Sequence, residues 1–260
     1  MALLDLSWNE NVRNRFNSPL LPKSIRGLIV GKSGSGKTCL LLNLLLQPGM
    51  LDYNSLTIYG RSLFQNEYKI IKEAFMNNIP KEYILKLFSM REEILNNNED
   101  PINILKAIAP DIPHDQKSDI QCEFYEDDTA IPDPKDLNKT RKNLFIFDDL
   151  QLEKQNTCEK YYVRGRHSNV DTFYLAQNYF KLPRQTIREN ANFICLFKQD
   201  NKNLNHLYED HVAADLGKDE FKSICKYCWD KPHGFVTIDL SSDKYNGKYR
   251  CMLDEFYIPN

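Results

Sequence analysis

The chain has 260 residues, 42% of them hydrophobic and 27% charged, with 10 Gly, 12 Pro and a formal net charge of −2. That balance excludes a disordered or collagen-like chain, and it removes any global electrostatic case for nucleic-acid binding, so a DNA contact has to come from a local patch. Seven scattered cysteines, an odd number, fit reduced thiols in an intracellular setting better than a disulfide framework. The longest apolar run, CLLLNLLL at 39–46, is broken by Asn43 and is too short to span a bilayer. No basic segment followed by an apolar one opens the chain, so a soluble intracellular protein with no membrane insertion is expected.

In chain order, residues 1–26 read as an extended lead-in, with Pro19 and Pro22 bracketing two leucines. RGLIVG (26–31) predicts a strand, and KTCLLLNLLLQ (37–47) a buried helix stopped by Pro48-Gly49. SLTIYG (55–60) predicts a second strand. From Gln65 to Asn97 apolar residues such as Tyr68, Ile71, Phe75, Ile84, Leu87 and Leu95 recur at helical spacing, and Pro80 divides two helices. Residues 98–140, rich in Asp, Asn and Pro, predict a loop-rich insertion. RKNLFIFDDL (141–150), TFYLAQ (172–177) and NFICLFK (192–198) are continuous apolar runs, as in strands covered on both faces. LPRQTIREN predicts a short helix, NLNHLYEDHVAADL and KDEFKSICKYCW two longer ones, and GFVTIDL and YRCMLDEFYI closing strands within 201–260. Strands alternating with helices imply a single α/β domain over 27–260, built on a central, mostly parallel sheet.

The chemistry begins with GKSGSGKT at 31–38, a full match to G-x-x-x-x-G-K-[ST] between a predicted strand and a predicted helix. Gly31, Lys32, Ser33, Gly34, Ser35 and Gly36 form the loop whose backbone N–H groups turn toward phosphate oxygens, and the helix from Lys37 through Thr38 and Cys39 adds its positive dipole end. Lys37 then serves the β- and γ-phosphates of ATP, and the Thr38 hydroxyl ligates Mg²⁺. LFIFDD (144–149) supplies the acids: Asp148 is assigned to the metal and Asp149 to the attacking water, and Asp149 is one methylene shorter than the Glu often found there. A strand beside the one carrying the acids has its tip toward the γ-phosphate, which makes Gln177 a candidate contact for that phosphate or the water; capping of the next helix is its other reading. Arg164 and Arg166 precede that strand, at its opposite end, so they suit a neighbouring subunit's nucleotide better than their own; a solvated or DNA-facing role is the alternative.

Together the P-loop, the hydrophobic-DD motif and the block GRHSNVDTFYLAQNYFKLPRQTIREN resemble the genome-packaging ATPases of poxviruses, other large nucleocytoplasmic DNA viruses, virophages and Polinton-type elements, a branch of the FtsK/HerA superfamily. The resemblance runs over roughly 27–258, since HVAAD…EFKSICKYCW…HGFVTIDL is also similar to the family's C-terminal part. It implies a three-layer RecA-like P-loop NTPase of the ASCE type, ATP with Mg²⁺ and double-stranded DNA as the polymer driven. It also implies a homo-oligomeric ring (pentamer or hexamer), capsid or portal-vertex partners, and a place in the virion or a cytoplasmic virus factory. By that likeness Arg166 is the preferred trans-acting arginine and Arg164 the second, while Arg188 is either a further finger or a structural partner.

Candidate phosphate contacts on DNA are Lys139, Arg141, Lys142, Lys181 and Arg184, each of which suits a solvated face equally well. Cys225-x-x-Cys228 with His211 and His233 is a weak zinc pattern, because Cys225 falls with Phe221 and Ile224 on a buried-looking helical stripe. A HerA-like helicase or conjugative pump would share every catalytic residue, and a small-molecule kinase would need an arginine-rich acceptor lid. A GTPase lacks its NKxD, the nearest match being NKNL at 201–204, and the intact Lys37, Thr38 and Asp148 argue against a non-hydrolysing scaffold.

Overall fold

The computed structural model describes residues 16–259. Continuous apolar runs have no solvent face to offer, and four of them become covered strands: β1 (Arg26–Val30), buried from Gly27 on, then the fully buried NLFIFD, VDTFYLA and FICLF further along. After β1 comes helix α1 (Lys37–Leu46), apolar nearly all round, which buries Leu40, Leu41, Leu42, Leu44, Leu45 and Leu46. Each of those leucines contributes about 1.5–3 kcal/mol of burial, so α1 is anchored far more by packing than by capping. Strand β2 (Ser55–Gly60) follows, then α2 (Asn66–Met76), α3 (Lys81–Ser89) and α4 (Arg91–Asn96), with Pro80 as the N-cap of α3.

Within 98–140 the chain is more regular than its composition suggests. Helix α5 (Pro101–Ile108) starts where the Asp100 carboxylate accepts the Ile102 N–H at 2.9 Å, with Pro101 in the first turn. Here the Asp-Pro pair is a helix start, not a loop. Strand β3 (Gln121–Tyr125) then pairs in parallel with β2 and forms a sheet edge.

The remaining elements are β4 (Asn143–Asp148), α6 (Asn156–Arg164), β5 (Val170–Ala176), a π-helical turn at Arg184–Arg188, β6 (Phe193–Phe197), α7 (Asn201–His211) and α8 (Lys218–Trp229). They close with β7 (Phe235–Asp239) and a hairpin of β8 (Tyr249–Cys251) and β9 (Glu255–Tyr257), where the sequence had suggested one strand.

Among the described residues nine strands form one sheet in the order β3-β2-β4-β5-β1-β6-β7-β8-β9. The run from β3 to β6 is parallel, and β7, β8 and β9 add antiparallel strands. One face packs α1 through α5, and the other packs α6, α7 and α8, giving a three-layer α/β architecture. Among the described residues no helix is long and apolar enough to cross a membrane.

Residues 1–15 of the lead-in lie outside the described residues, while 16–25 are fastened to the domain. The buried Asp171 carboxylate accepts the Ile25 N–H at 2.9 Å and the Asn17 amide at 3.1 Å. Arg250, 3% exposed, donates to the Leu20 carbonyl at 2.5 Å and to Asp239 at 2.8 Å, clamping the lead-in to the antiparallel edge. Removing one member of such a pair strands a buried charge. We expect Arg250→Met to lose about 3–5 kcal/mol in urea unfolding and Arg250→Met/Asp239→Asn to regain most of it. A single-variant loss near zero would mean that the pair does not hold this edge.

Candidate functional site

The parallel register decides which side chains meet. Asp148 on β4 lies level with Leu175 on β5, and Leu175 lies level with Ile29 on β1. Just beyond that level the chain leaves all three strands together, so Asp149, Gln177 and the loop from Gly31 emerge at one edge of the sheet. The Gly31 N–H still donates to the Ala176 carbonyl at 2.9 Å, which pins the loop to the β5 tip.

In that loop Gly34 (φ 73°) and Gly36 (φ 107°) adopt the left-handed backbone that favours glycine, and the curl they make returns Lys37 over its own loop. Lys37 Nζ donates to the carbonyls of Gly31 at 2.8 Å and Lys32 at 3.0 Å. Burial lowers its pKa, while Asp148 and Asp149 act in the opposite direction.

Asp148 is 6% exposed, and its Oδ2 accepts the Tyr68 hydroxyl at 2.5 Å. Burial lifts its pKa to about 6; the Tyr68 hydrogen bond and Lys37 pull it down, and Asp149 pushes it up. Asp149 is more open and itself sits at φ 56°. Its Oδ1 accepts the Gln177 amide at 3.0 Å and its Oδ2 the Ser62 hydroxyl at 3.4 Å. Gln151 fixes the β5 tip from below, its Oε1 accepting the N–H groups of Gln177 and Asn178 at 3.0 and 3.1 Å.

Around these groups lies a cleft of about 600 Å³ whose lining includes Ser33, Gly34, Lys37, Thr38, Asp148 and Gln177. It also takes in Gln65 and Glu67 on the approach to and first turn of α2, and Arg91 at the start of α4. The walls therefore offer backbone N–H groups, the cations Lys37 and Arg91, the carboxylates Glu67, Asp148 and Asp149, and the Gln177 amide. Thr38 Oγ1 and the Asp148 carboxylate are hard oxygen donors, and a buried carboxylate with a raised pKa is relieved by a cation, so this pair fits Mg²⁺ held largely by phosphates and water.

Sequence reasoning identified Lys37, Thr38, Asp148, Asp149 and Gln177, and the structure brings all five to one cleft. It missed Tyr68, which the helical periodicity marked only as apolar, and it missed Ser62, Glu67 and Arg91.

Arg166 is exposed at the other end of β5, in a cavity of about 800 Å³ shared with Lys23, Arg26 and His167. Arg164, also exposed, ends α6 at the same end. Arg188 is 6% exposed, ion-paired with Asp210 at 3.1 Å and stacked over the Tyr179 ring, away from the cleft; of its two readings, this is a structural partner's position.

Two of the basic residues considered for DNA are also engaged: Lys142 with Asp52 at 2.6 Å, and Arg184 with Glu189 at 3.3 Å and Asp210 at 3.6 Å. Lys139 and Lys181 are exposed, and Arg141 is half-buried. Cys225 and Cys228 are buried on α8, and among the described residues no group of three His, Cys, Asp or Glu side chains is assembled to hold a metal.

No family model and no curated protein matches the chain. Among solved structures it is similar to the genome packaging NTPase B204 from Sulfolobus turreted icosahedral virus 2. The sulfate complex of B204 aligns with a TM-score of 0.52 at 12% identity, over 92% of this chain and all (100%) of that one. The ATP-γS complex aligns at 0.50 and 11%, over 91% and 100%, and the AMPPCP complex at 0.50 and 12%, over 85% and 95%. At such identities the likeness establishes the fold alone: a P-loop NTPase fold, in which the mixed sheet of the described residues has a mostly parallel core.

The strained group in the site is Asp148. Its folded-state pKa of about 6 lies above the ordinary 3.8, so the folded chain holds the proton more tightly and stability falls as pH rises through that window. Asp148→Asn removes a penalty of about 3 kcal/mol at neutral pH. We expect its melting temperature to exceed the parent's above pH 6 and to converge with it near pH 4, followed by scanning calorimetry, with Mg²⁺-dependent nucleotide binding impaired.

Proposed function

We propose that this chain is an ATP-driven motor that translocates double-stranded DNA into a preformed viral capsid as a homo-oligomeric ring, a pentamer or hexamer docked on capsid or portal-vertex proteins. The observation that carries the reading is the polarity of the sheet: loop, acids and Gln177 share one edge, and Arg166 stands exposed at the opposite edge. Head-to-tail packing of copies sets the second edge of one against the first edge of the next, so each site is completed by its neighbour. The fold shared with B204, a genome packaging NTPase, supports the same reading.

In this mechanism the backbone N–H groups of 33–38 and Lys37 hold the triphosphate of ATP. Thr38 and Asp148 would hold Mg²⁺, which would neutralise charge on the phosphate oxygens. Asp149 accepts a proton from, or orients, the attacking water. Gln177, hydrogen-bonded to Asp149 at 3.0 Å, keeps that carboxylate aimed and registers whether the γ-phosphate is present. The neighbour's Arg166 neutralises the transferring phosphoryl group, with Arg164 as the second candidate. The work of hydrolysis leaves through β5, whose two ends carry Gln177 and the GRH turn. Virion association or a cytoplasmic virus factory is the corresponding location.

The test is steady-state ATP hydrolysis with and without linear double-stranded DNA. We expect DNA to stimulate turnover and Arg166→Ala to lower kcat by about 10³ with nucleotide affinity retained. Mixing Arg166→Ala with Lys37→Ala subunits, each inactive alone, should restore part of the activity, because a Lys37→Ala copy supplies the arginine that the other lacks. Hydrolysis indifferent to DNA and to Arg166, with no recovery on mixing, would leave a nucleotide-hydrolysing fold without a motor.

A further inference from the structure

Beside the phosphate cleft lies a second concavity of about 470 Å³, between α1 and the helices α2 to α4. Leu42, Ile70, Phe88 and Leu95 line it, and Leu95 is 63% exposed, a large apolar side chain facing solvent. It follows α1 from Thr38 to Leu46, about 12 Å of helix. Thr38, Cys39, Glu67 and Arg91 line both concavities, and Tyr68, next to Glu67, holds Asp148. The groove therefore opens on the acid side of the cleft, where a neighbour's Arg166 has to arrive.

The charge around the groove is one-sided. Arg91 is the one cation among its lining residues, with Glu67 in the same wall. On α4 and the turn after it, Glu92, Glu93 and Glu99 are exposed, and their carboxylates have no ion-pair or hydrogen-bond partner among the described residues. An exposed carboxylate needs no partner, but three beside an open apolar groove set the sign of what can lie there.

The opposite edge of the same chain carries the matching surface. On α6 the exposed side chains are Asn156, Lys160, Val163 and Arg164, a three- and four-residue spacing that puts them on one face. This stripe runs on into Arg166 and His167 of the turn Gly165–Ser168, which are exposed as well. It holds no carboxylate of its own, although Lys160 shares a 3.7 Å ion pair with Asp133. Val163, 43% exposed, is its apolar member and lies one turn before Arg166.

We propose that the groove seats a second copy of this chain: the α6 stripe of one subunit lies along α1 to α4 of the next. Val163 then packs against Leu95, and the basic side chains lie over Glu92, Glu93 and Glu99. The inference rests on the trans-arginine reading above and adds the surface that holds the arginine in place. From Lys160 to Arg164 the stripe spans about 6 Å, well within the length of the groove. An apolar contact beside the arginine excludes water and fixes its approach, while the charges decide which edge meets which. Because the two surfaces differ, the contact is head-to-tail and can repeat around a ring.

Leu95→Asp and Val163→Asp each spoil one of the two surfaces, at exposed positions outside the nucleotide machinery. Sedimentation velocity of the full chain with Mg²⁺ and AMPPCP, at rising protein concentration, follows association. The parent is expected to associate, and each variant to need at least tenfold more protein to do so. An equimolar mixture of the two variants is expected to stop at a dimer, since one intact groove meets one intact stripe. That dimer also shows that both variants fold.

Association of either variant at the parent's concentration would overturn the proposal and leave the ring reading standing, with the subunits meeting elsewhere. Loss of association in both variants with no dimer on mixing would overturn it too. A parent that stays monomeric throughout would instead remove the ring reading itself, and the proposal with it.

Discussion

Everything in this molecule depends on one strand of separation. β5 lies between β1 and β4, all three parallel and in register, and at about 4.8 Å per strand the loop after β1 and the acids after β4 are set about 10 Å apart. That gap gives phosphate room between a loop of backbone donors and a pair of carboxylates. A direct β1–β4 pairing would close it, and a further strand would put the acids out of reach. The strand that keeps the distance also brings Gln177 between the two sides, hydrogen-bonded to Asp149. Spacer and Gln177 thus belong to one element, β5, whose other end meets the GRH turn.

The cost of this arrangement falls on Asp148. A carboxylate at 6% exposure, raised to a pKa of about 6 mainly by burial, is a destabilised group at neutral pH. The fold meets that cost partly through Tyr68, whose hydroxyl takes up one carboxylate oxygen, and partly through Lys37. A group held short of full compensation suits a cation that comes and goes with the nucleotide. Tyr68 belongs to α2, so Asp148 is tied to the helical layer on that face of the sheet.

What the sequence disclosed follows from what is local. The loop, the paired acids and Gln177 are each written in a few consecutive residues between apolar runs, and parallel pairing of those runs was enough to converge them. Glu67 and Tyr68 reach the site from α2 and Arg91 from α4. Their periodicity announces a packed face, and nothing in it reports that the Tyr68 hydroxyl ends on Asp148 or that Arg91 lines the same cleft. The stretch 98–140 misled for a physical reason: Asp, Asn and Pro mark helix starts as well as loops, and Asp100-Pro101 is a cap. The edge strand β3 was hidden because an edge is only partly covered, so its QCEFY lacks the continuous apolar run of a central strand. The long-range fastening of the lead-in by Asp171 and Arg250 has no local signature.

The most direct test of the account is to separate binding from hydrolysis at the acid pair. Single-turnover hydrolysis of Mg²⁺-ATP by Asp149→Asn, run beside equilibrium binding of the same ligand, isolates the group assigned to the water from the groups assigned to phosphate and metal. The account predicts unchanged nucleotide affinity with hydrolysis slowed by about 10²–10⁴, the range for loss of a general base. Hydrolysis at the parent's rate, or loss of binding in proportion to loss of rate, would contradict the division of labour between Asp148 and Asp149 on which the mechanism stands.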